Sequence, residues 1–322
     1  MPIELSVIIV NWNGAELLRR TVESVVSCPP SVDYEIVVID NASSDSSLSL
    51  LRASEIARPL IESGRLSIIE NQDNLGFGRA NNQAFSMTTS RLLLLLNPDT
   101  EVTPGSLDAL IRTMDSRAQT GVVGPKLLNV DGSLQASAWR NPPAAWEIML
   151  SQLKLYELLP RSFRGELLLG GHWDHARERS VPMLSGAAML VRRKVIEEVG
   201  GFDERFHMYG EDNEWCLRIA RAGWLLVFQP RAVVIHHGAQ SSLQRWNNLE
   251  KLRVQLEANY FFQRESLPRA SLITNQLASY VTALGQHLTR RLRGVNAPDV
   301  KLAKEIHLAN LKRALRGDLG VR

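Results

Sequence analysis

A carboxylate that could bind a metal ion stands at the end of a run of leucines. The chain reads Leu-Leu-Leu-Leu-Leu-Asn-Pro-Asp from Leu92 to Asp99. A short apolar run of this kind predicts a strand buried on both faces of a parallel sheet, so Asn97 and Asp99 emerge at the carboxyl edge of that sheet. Open α/β sheets bind ligands at this edge, and one carboxylate there can hold Mg²⁺ or Mn²⁺ against nucleotide phosphates. The alternative is that Asp99 only caps the turn around Pro98.

A pair of acidic residues, Glu211 and Asp212, opens a segment of helical character. Trp215, Leu217 and Ile219 supply the apolar positions of that segment, which puts both carboxylates in the first helical turn. The helix dipole stabilises acidic side chains there, so their presence alone needs no catalytic explanation.

Two further positions allow more than one interpretation. His236 and His237 end a predicted strand, where an imidazole could bind a metal ion or could be structural. Gly186 interrupts the predicted strand 183–192. It could mark a β-bulge, or it could let a substrate approach the backbone closely.

The elements that would position these residues alternate along the first half of the chain. Four predicted strands are separated by helical segments: Leu5–Asn11, Tyr34–Asp40, Leu66–Glu70 and Leu92–Leu96. This β-α rhythm predicts an α/β fold with a mostly parallel sheet covered by helices on both faces. The turn residues Asn129–Gly132 predict a hairpin farther on.

The amino-acid composition limits the classes of protein to which the chain could belong. The chain has 322 residues, of which 44% are hydrophobic and 22% charged, as in ordinary globular proteins. Its formal net charge of +3 is too small to indicate nucleic-acid binding, so we expect no nucleic-acid partner. No stretch approaches the roughly 18 apolar residues of a membrane-spanning helix, and no signal peptide is evident. We therefore expect a cytoplasmic protein, with Cys28 and Cys216 reduced.

The C-terminal tail is basic and amphipathic. Residues 286–322 contain nine Lys or Arg and three acidic residues. Within this tail, apolar residues recur at near-helical spacing: Leu302, Ile306, Leu311 and Leu315. The tail could lie peripherally on the inner face of the cell membrane, pack against the protein, or form a homodimer contact.

The segment 139–182 contains several Trp and Pro residues and also allows two interpretations. It could be a mobile wall over a site, or a helical segment packed under the sheet.

Six motifs, in this order, resemble the inverting glycosyltransferases of family 2. They are VIIVNWNG (7–14), IVVIDNASSD (36–45), NLGFGRANNQ (74–83), LLLNPDT (94–100), GGFDERFHMYGEDNEWCLR (200–218) and VVIHHGAQS (233–241). The rhamnosyltransferase-like branch is the most similar, with galactofuranosyltransferases nearby. The resemblance covers about residues 4–245 and implies a GT-A fold. We expect residues 1–245 to form this domain, divided near residue 125 into a nucleotide-sugar half and an acceptor half, with residues 246–322 as a helical basic extension.

The resemblance also implies which residues bind the nucleotide sugar. Asp40 corresponds to the aspartate that hydrogen-bonds the nucleotide base, which suits an acceptor-only carboxylate facing an imide N–H. The other expected contacts to the nucleotide sugar are Asn11, Asn41, Asn74, Gly76, Phe77, Asn81, Asn97 and Gly186.

Metal and base residues are implied in the same way. Asp99 matches the metal-binding aspartate of the family's Asp-x-Asp motif, whose first position is Asn97 in this chain. His236 matches a histidine that can add a ligand to the divalent cation, Mg²⁺ or Mn²⁺, and His237 is a second candidate. Asp212 matches the general base, and Glu211 would orient the acceptor or the base.

These features together predict an inverting transferase of rhamnose or a similar hexose. The donor would be a nucleoside diphosphate sugar and the acceptor a hydroxyl of a glycan or lipid-linked molecule in cell-surface polysaccharide synthesis. One alternative is a sugar-1-phosphate nucleotidyltransferase, although residues 7–14 contain one glycine and no Lys or Arg where that class has a basic glycine-rich loop. The second alternative is a non-catalytic sugar-nucleotide-binding relic, which would be expected to lack Asp99 or Asp212.

Overall fold

The chain divides into two compact units. The computed structural model describes residues 3–139, 143–152, 154–160, 169–170, 173–206, 208–238 and 247–317. The first unit comprises Met1–Trp139 and Asp174–Ser241, and the second comprises Arg140–Trp173 and Ser242–Arg322. The first is an α/β unit and the second is helical.

The strands found in the described part of the chain lie in the first unit. In chain order they are β1 Leu5–Asn11, β2 Tyr34–Asp40, β3 Leu66–Glu70, β4 Leu92–Leu96, β5 Thr100–Val102, β6 Thr120–Leu128, β7 Leu134–Gln135, β8 Ala138–Trp139, β9 Arg179–Ser180, β10 Met183–Leu184, β11 Ala188–Arg192 and β12 Leu225–His236, within the described residues. The helices are α1 Ala15–Ser27, α2 Ser47–Ala53, α3 Arg58–Glu62, α4 Phe77–Met87, α5 Ser106–Ser116, α6 Ala145–Gln152, α7 Arg193–Val199, α8 Glu211–Arg221, α9 Asn248–Ser266, α10 Arg269–Leu292 and α11 Pro298–Arg316.

The main sheet has the strand order β3-β2-β1-β4-β11-β6-β12-β5. Strands β1 to β4 are mutually parallel where they pair, as the alternation of strands and helices predicts. β11 runs antiparallel to both β4 and β6, and β5 runs antiparallel to β12. The predicted α/β fold with a helix-flanked sheet is confirmed, and the sheet is mixed: β1 to β4 pair in parallel, as do β6 and β12, whereas β5 and β11 are antiparallel to their neighbours. The reversal at β11 brings the start of that strand to the carboxyl edge of β4.

The leucine strand β4 lies in the centre of the core. Each of its five side chains is at most 2% exposed. Its neighbour β1 is also buried, and on the inward face of α1 Leu18, Val22 and Val25 are fully covered. Burial of each such side chain stabilises the fold by roughly 1.5–3 kcal/mol. The Asn97–Asp99 turn is therefore anchored on a densely packed strand.

The second unit consists of α6 and the helices α9 to α11. α9 begins with a capping box, in which the Asn247 side chain accepts from the backbone N–H of Glu250 and the Glu250 carboxylate accepts from Asn247 N–H. The predicted stripe of α11 packs inside this unit, since Ile306 and Leu311 are buried, whereas Leu315 is exposed. Within the part of the chain that is described, we find no helix with the length and apolar character needed to span a membrane.

The Trp-rich segment 139–182 is divided between the two units. Its helical portion, α6 and a short 3₁₀ turn at Leu155–Leu158, belongs to the second unit. Residues 140–142, 153, 161–168 and 171–172 of this segment lie outside the described residues.

Candidate active site

Asn11 and Asp40 lie side by side where β1 and β2 end. Strand pairing puts the two residues directly opposite each other, and both are buried. Asp40 Oδ1 accepts hydrogen bonds from Asn11 Nδ2 at 2.7 Å and Ser43 Oγ at 2.7 Å, while Oδ2 accepts from the Ser43 N–H at 2.9 Å. Each carboxylate oxygen has two lone pairs, so Oδ2 retains capacity for one more donor.

The loop before α4 is joined to this strand edge. Asn41 Nδ2 donates to the carbonyl of Gly76 at 3.2 Å, and Gly76 N–H donates to Asn74 Oδ1 at 2.9 Å. Gly76 has φ of 83°, a conformation that side chains disfavour, and it immediately precedes α4. Within α4, buried Asn81 donates to the Phe77 carbonyl at 2.9 Å. The structure thus brings this loop to the ends of β1 and β2.

The turn that carries Asp99 contacts the start of β11. Asn97 N–H donates to the carbonyl of Ala187 at 2.9 Å, and the Asn97 carbonyl accepts from Thr100 Oγ1 at 2.7 Å. Asp99 is 7% exposed. The buried turn holds this carboxylate at the predicted sheet edge.

His236 is the histidine that faces Asp99. Antiparallel pairing of β5 and β12 sets Thr100 opposite His236, and Asp99 precedes Thr100. The distance from His236 Nε2 to Asp99 Oδ1 is 3.2 Å. The His237 side chain instead contacts Glu101, with 2.7 Å between Nε2 and Oε1. The His236 side chain therefore faces the Asp99 carboxylate, whereas His237 contacts Asp99 only through its backbone N–H, which donates to the Asp99 carbonyl at 2.9 Å.

Gln135, a residue that the sequence did not single out, sets the orientation of His236. Gln135 Oε1 lies 2.6 Å from His236 Nδ1, and Gln135 Nε2 donates to Asn129 Oδ1 at 2.9 Å. Because the amide nitrogen is used by Asn129, the amide oxygen faces the imidazole, and Nδ1 is the donor. In the neutral ring, Nε2 then presents its lone pair to Asp99. Two acceptors at this distance require a proton or a cation between them.

Asp99 and His236 together could supply two protein ligands to a divalent cation. Within the described residues, no group of three or more His, Cys, Asp or Glu could hold a metal ion. One carboxylate oxygen and one oriented imidazole nitrogen suit Mg²⁺ or Mn²⁺, which in nucleotide sites takes its remaining ligands from phosphates and water.

Asp212 is held by backbone and side-chain donors at the start of α8. Its Oδ2 accepts from Gly186 N–H at 3.1 Å, and its Oδ1 accepts from the N–H of Asn213 at 2.8 Å and from Asn213 Nδ2 at 3.1 Å. A Cβ added to Gly186 would lie 3.3 Å from Asp212 Cβ and 3.7 Å from Phe77 Cε1. Because Gly186 has no side chain, its backbone can lie close to both Asp212 and Phe77.

Trp139 supports Asp212 indirectly. Its Nε1–H donates to Asn213 Oδ1 at 2.9 Å. This bond turns the amide nitrogen of Asn213 toward the Asp212 carboxylate. Trp139 reaches this place through the pairing of β8 with β10, a contact that short-range sequence patterns do not encode.

Glu211 and Asp212 experience different environments although they are adjacent. Glu211 is buried, and its Oε2 has no hydrogen-bond partner among the described residues. Burial and the Asp212 charge raise the pKa of Glu211 to about 8, which favours the protonated carboxyl. Burial also raises the pKa of Asp212, but the Gly186 and Asn213 N–H groups oppose that shift. Of the two carboxylates, Asp212 is therefore the one whose ionised form is stabilised by hydrogen bonds to Gly186 and Asn213.

A family model described as "Glycosyltransferase like family 2" matches residues 2–256 of the chain. The chain belongs to glycosyltransferase family 2. The N-acetylglucosaminyl-diphospho-decaprenol L-rhamnosyltransferase of Mycobacterium tuberculosis is 31% identical to it over 254 residues, which cover 74% of this chain and 77% of that protein.

Two solved structures share the fold of this glycosyltransferase. GalNAc-T7 with UDP, GalNAc and Mn²⁺ superposes with a TM-score of 0.60 at 17% identity, covering 98% of this chain, which spans only 56% of that one. The mannosyltransferase PcManGT of Pyrobaculum calidifontis, in complex with GDP-Man and Mn²⁺, superposes with a TM-score of 0.52 at 16% identity, covering 99% and 88% of the two chains. These likenesses confirm the GT-A fold, and the family membership removes the nucleotidyltransferase alternative.

Proposed function

We propose that this glycosyltransferase transfers rhamnose or a similar hexose from a nucleoside diphosphate to a hydroxyl of a lipid-linked or other glycan acceptor. The reaction would invert the anomeric carbon and would use Mg²⁺ or Mn²⁺. The choice of donor and acceptor is supported by the mycobacterial relative, which is named as an L-rhamnosyltransferase for an N-acetylglucosaminyl-diphospho-decaprenol.

The donor side of the site consists of the residues that end β1, β2 and β4. We assign the nucleotide base to Asp40, whose Oδ2 can accept one more hydrogen bond. Asn11 fixes that carboxylate from its buried amide. Asp99 and His236 would hold the divalent cation, which when bound neutralises charge on the departing diphosphate. No protein acid is then needed for the leaving group.

Asp212 is the general base of this scheme. The acceptor hydroxyl transfers its proton to the Asp212 carboxylate as its oxygen attacks the anomeric carbon, and the bond from that carbon to the diphosphate oxygen breaks. One such displacement inverts the configuration. Neutral Glu211 can donate a hydrogen bond from its carboxyl, and we assign it to orienting the acceptor.

The main support for this scheme is that two successive residues contact both halves of the site. Gly186 N–H donates to Asp212, and the carbonyl of Ala187 accepts from Asn97, two residues from Asp99. The base is thereby tied to the same backbone segment as the turn that carries the metal ligand. A base and a leaving-group site on opposite sides of one sugar ring are what a single displacement requires.

Release of nucleoside diphosphate tests the proposal. The enzyme would be incubated with dTDP-rhamnose, UDP-hexoses or UDP-galactofuranose, an isoprenoid-diphosphate-linked sugar acceptor, and Mg²⁺, Mn²⁺ or chelator. We expect one donor to be consumed with the acceptor and a divalent ion, and the new glycosidic bond to have the opposite anomeric configuration from the donor. Retention of configuration, or full activity in chelator, would refute the scheme.

A further inference from the structure

α10 has a continuous exposed apolar face. Four of its residues project from one side and are about half exposed or more: Leu277 at 48%, Val281 at 50%, Leu288 at 49% and Leu292 at 88%. Their spacing of four, seven and four residues keeps them on one face of a helix, here called the α10 stripe. The opposite face is buried in the second unit through residues such as Leu272, Ser279 and Ala283. The stripe is therefore additional to the face that packs.

Positive charge surrounds the end of the α10 stripe. The 24 residues of α10 contain no Asp or Glu, and Arg290 and Arg291 lie in its last turn. A cavity of about 330 Å³ at this end is lined by Arg290, Arg291, Lys301 and His287. The Asp299 carboxylate is 3.8 Å from Arg290, with both side chains about half exposed. An exposed pair of this kind leaves most of the positive field uncompensated.

We propose that the α10 stripe and this basic cavity form a surface that binds an anionic phospholipid membrane. Apolar side chains would enter the boundary between headgroups and acyl chains, and the arginines and Lys301 would contact lipid phosphates. The proposal rests on the proposed function in that a lipid-linked acceptor requires the enzyme to work at a bilayer.

Charge favours a bilayer over a second copy of the chain. In a symmetric dimer through the α10 stripe, Arg290 and Arg291 of each copy would meet a helix that has no acidic residue. Lipid phosphates supply the missing negative charge. An amphipathic helix with apolar residues on one side and basic residues beside them is the pattern that lies in membrane interfaces.

Sedimentation of the full chain with vesicles tests the surface. We expect binding to vesicles that contain phosphatidylglycerol, weaker binding to phosphatidylcholine alone, and loss of binding as salt shortens the Debye length from about 10 Å at 0.1 M to about 3 Å at 1 M. The double variant Leu288→Ser, Leu292→Ser should lower the partition coefficient on the order of tenfold or more, because apolar area is lost. Arg290→Gln, Arg291→Gln should weaken binding and flatten its salt dependence.

Matched controls remove equivalent groups elsewhere. Val130→Ser changes an exposed apolar residue of the hairpin in the first unit, and Arg112→Gln, Arg117→Gln removes two exposed arginines from that unit. Both controls should bind vesicles like the wild type. Unaltered binding of the Leu288, Leu292 variant would refute the proposal, as would equal binding of the wild type to neutral vesicles.

The oligomeric state separates the bilayer from a second copy. If the wild type is a dimer that the Leu288→Ser, Leu292→Ser substitutions convert to monomers, the α10 stripe is a subunit contact and the membrane proposal is wrong. Thermal melting of each variant controls for folding. Nucleoside diphosphate release in detergent, measured on the same proteins, reports on the proposed function independently of vesicle binding.

Discussion

Gln135 accepts a hydrogen bond from the Nδ1 of His236, and this contact turns the other imidazole nitrogen toward Asp99. The two distances are 2.6 Å from Gln135 Oε1 to Nδ1 and 3.2 Å from Nε2 to Asp99 Oδ1. A residue that touches no substrate in our scheme thus sets which nitrogen is available for a cation.

Replacing Gln135 by Leu should weaken cation binding without altering the Asp99 and His236 ligands. Loss of a partner that orients a metal-binding histidine typically lowers affinity by about 10- to 100-fold. Calorimetric titration of Mn²⁺ with nucleoside diphosphate present would measure this, with Asp99→Ala as the reference that loses a ligand outright. Gln135→Glu keeps an acceptor at Nδ1 and should restore affinity. Wild-type affinity in Gln135→Leu would show that the contact has no positioning role.

Asp212→Asn should stop transfer while donor binding stays nearly intact. The amide retains the shape of the side chain but cannot accept the acceptor proton, and loss of a general base lowers the rate on the order of 100-fold or more. Turnover and the affinity for nucleoside diphosphate would be measured together. Substitution of the exposed Asp73 by Asn serves as the control and should leave turnover and nucleoside diphosphate affinity unchanged. A fully active Asp212→Asn enzyme would reduce Asp212 to a residue that stabilises the start of α8.

Glu211→Gln should make the protein more stable at alkaline pH but not at acid pH. The pKa of Glu211 is about 8 in the folded protein and has the ordinary value of 4.5 when unfolded. Between these values the unfolded chain binds fewer protons than the folded one, so Glu211 lowers the stability of the wild type as the pH rises. Glutamine has no proton to lose, and its advantage should therefore grow to the order of a few kcal/mol.

Urea unfolding at about pH 5 and about pH 8 would measure this difference. Glu197→Gln changes an exposed carboxylate and should follow the wild type at both values. A constant difference between Glu211→Gln and wild type across this range would mean that Glu211 is ionised in the folded protein.

Gly186→Ala should slow transfer by displacing Asp212 or Phe77. The new methyl group would lie 3.3 Å from Asp212 Cβ, closer than ordinary contact, and small displacements of reacting groups can cost on the order of 10- to 100-fold in rate. Gly285→Ala is the matched control, because a Cβ there meets no atom within 4 Å and sits inside α10. That control should keep full activity and gain up to about 1 kcal/mol of stability. Equal activity of both alanine variants would contradict a tight fit at Gly186.

The predictable part of the fold was the part whose signals are local. The bounds of β1, β2, β3 and β4 agree with the sequence prediction, because each is a short apolar run that ends in polar residues. The direction of β11 was not predictable in the same way. It is antiparallel to its neighbours because of pairings with β4 and β6, which are distant in sequence. Local patterns specify that a strand exists but not its partners.

The same distinction applies to the site. Asp99 and Asp212 could be proposed as site residues from the sequence, because they follow a buried strand or open a helix inside a family motif. Gln135 and Trp139 could not, since a glutamine in a hairpin and a tryptophan in a strand are common residues whose partners come from elsewhere in the fold. Their importance lies in orienting other side chains, and single-residue chemistry gives no sign of that.

The backbone of the dipeptide Gly186-Ala187 fixes the distance between two parts of the proposed site. One of its residues holds the Asp212 carboxylate, and the next holds the turn that leads to Asp99. Because two successive backbone residues make these contacts, we expect the distance between Asp212 and the Asp99 turn to be set by the backbone. In our scheme, substitutions elsewhere in the walls of the site would therefore change the preferred sugar or acceptor without changing the distance between the base and the leaving group.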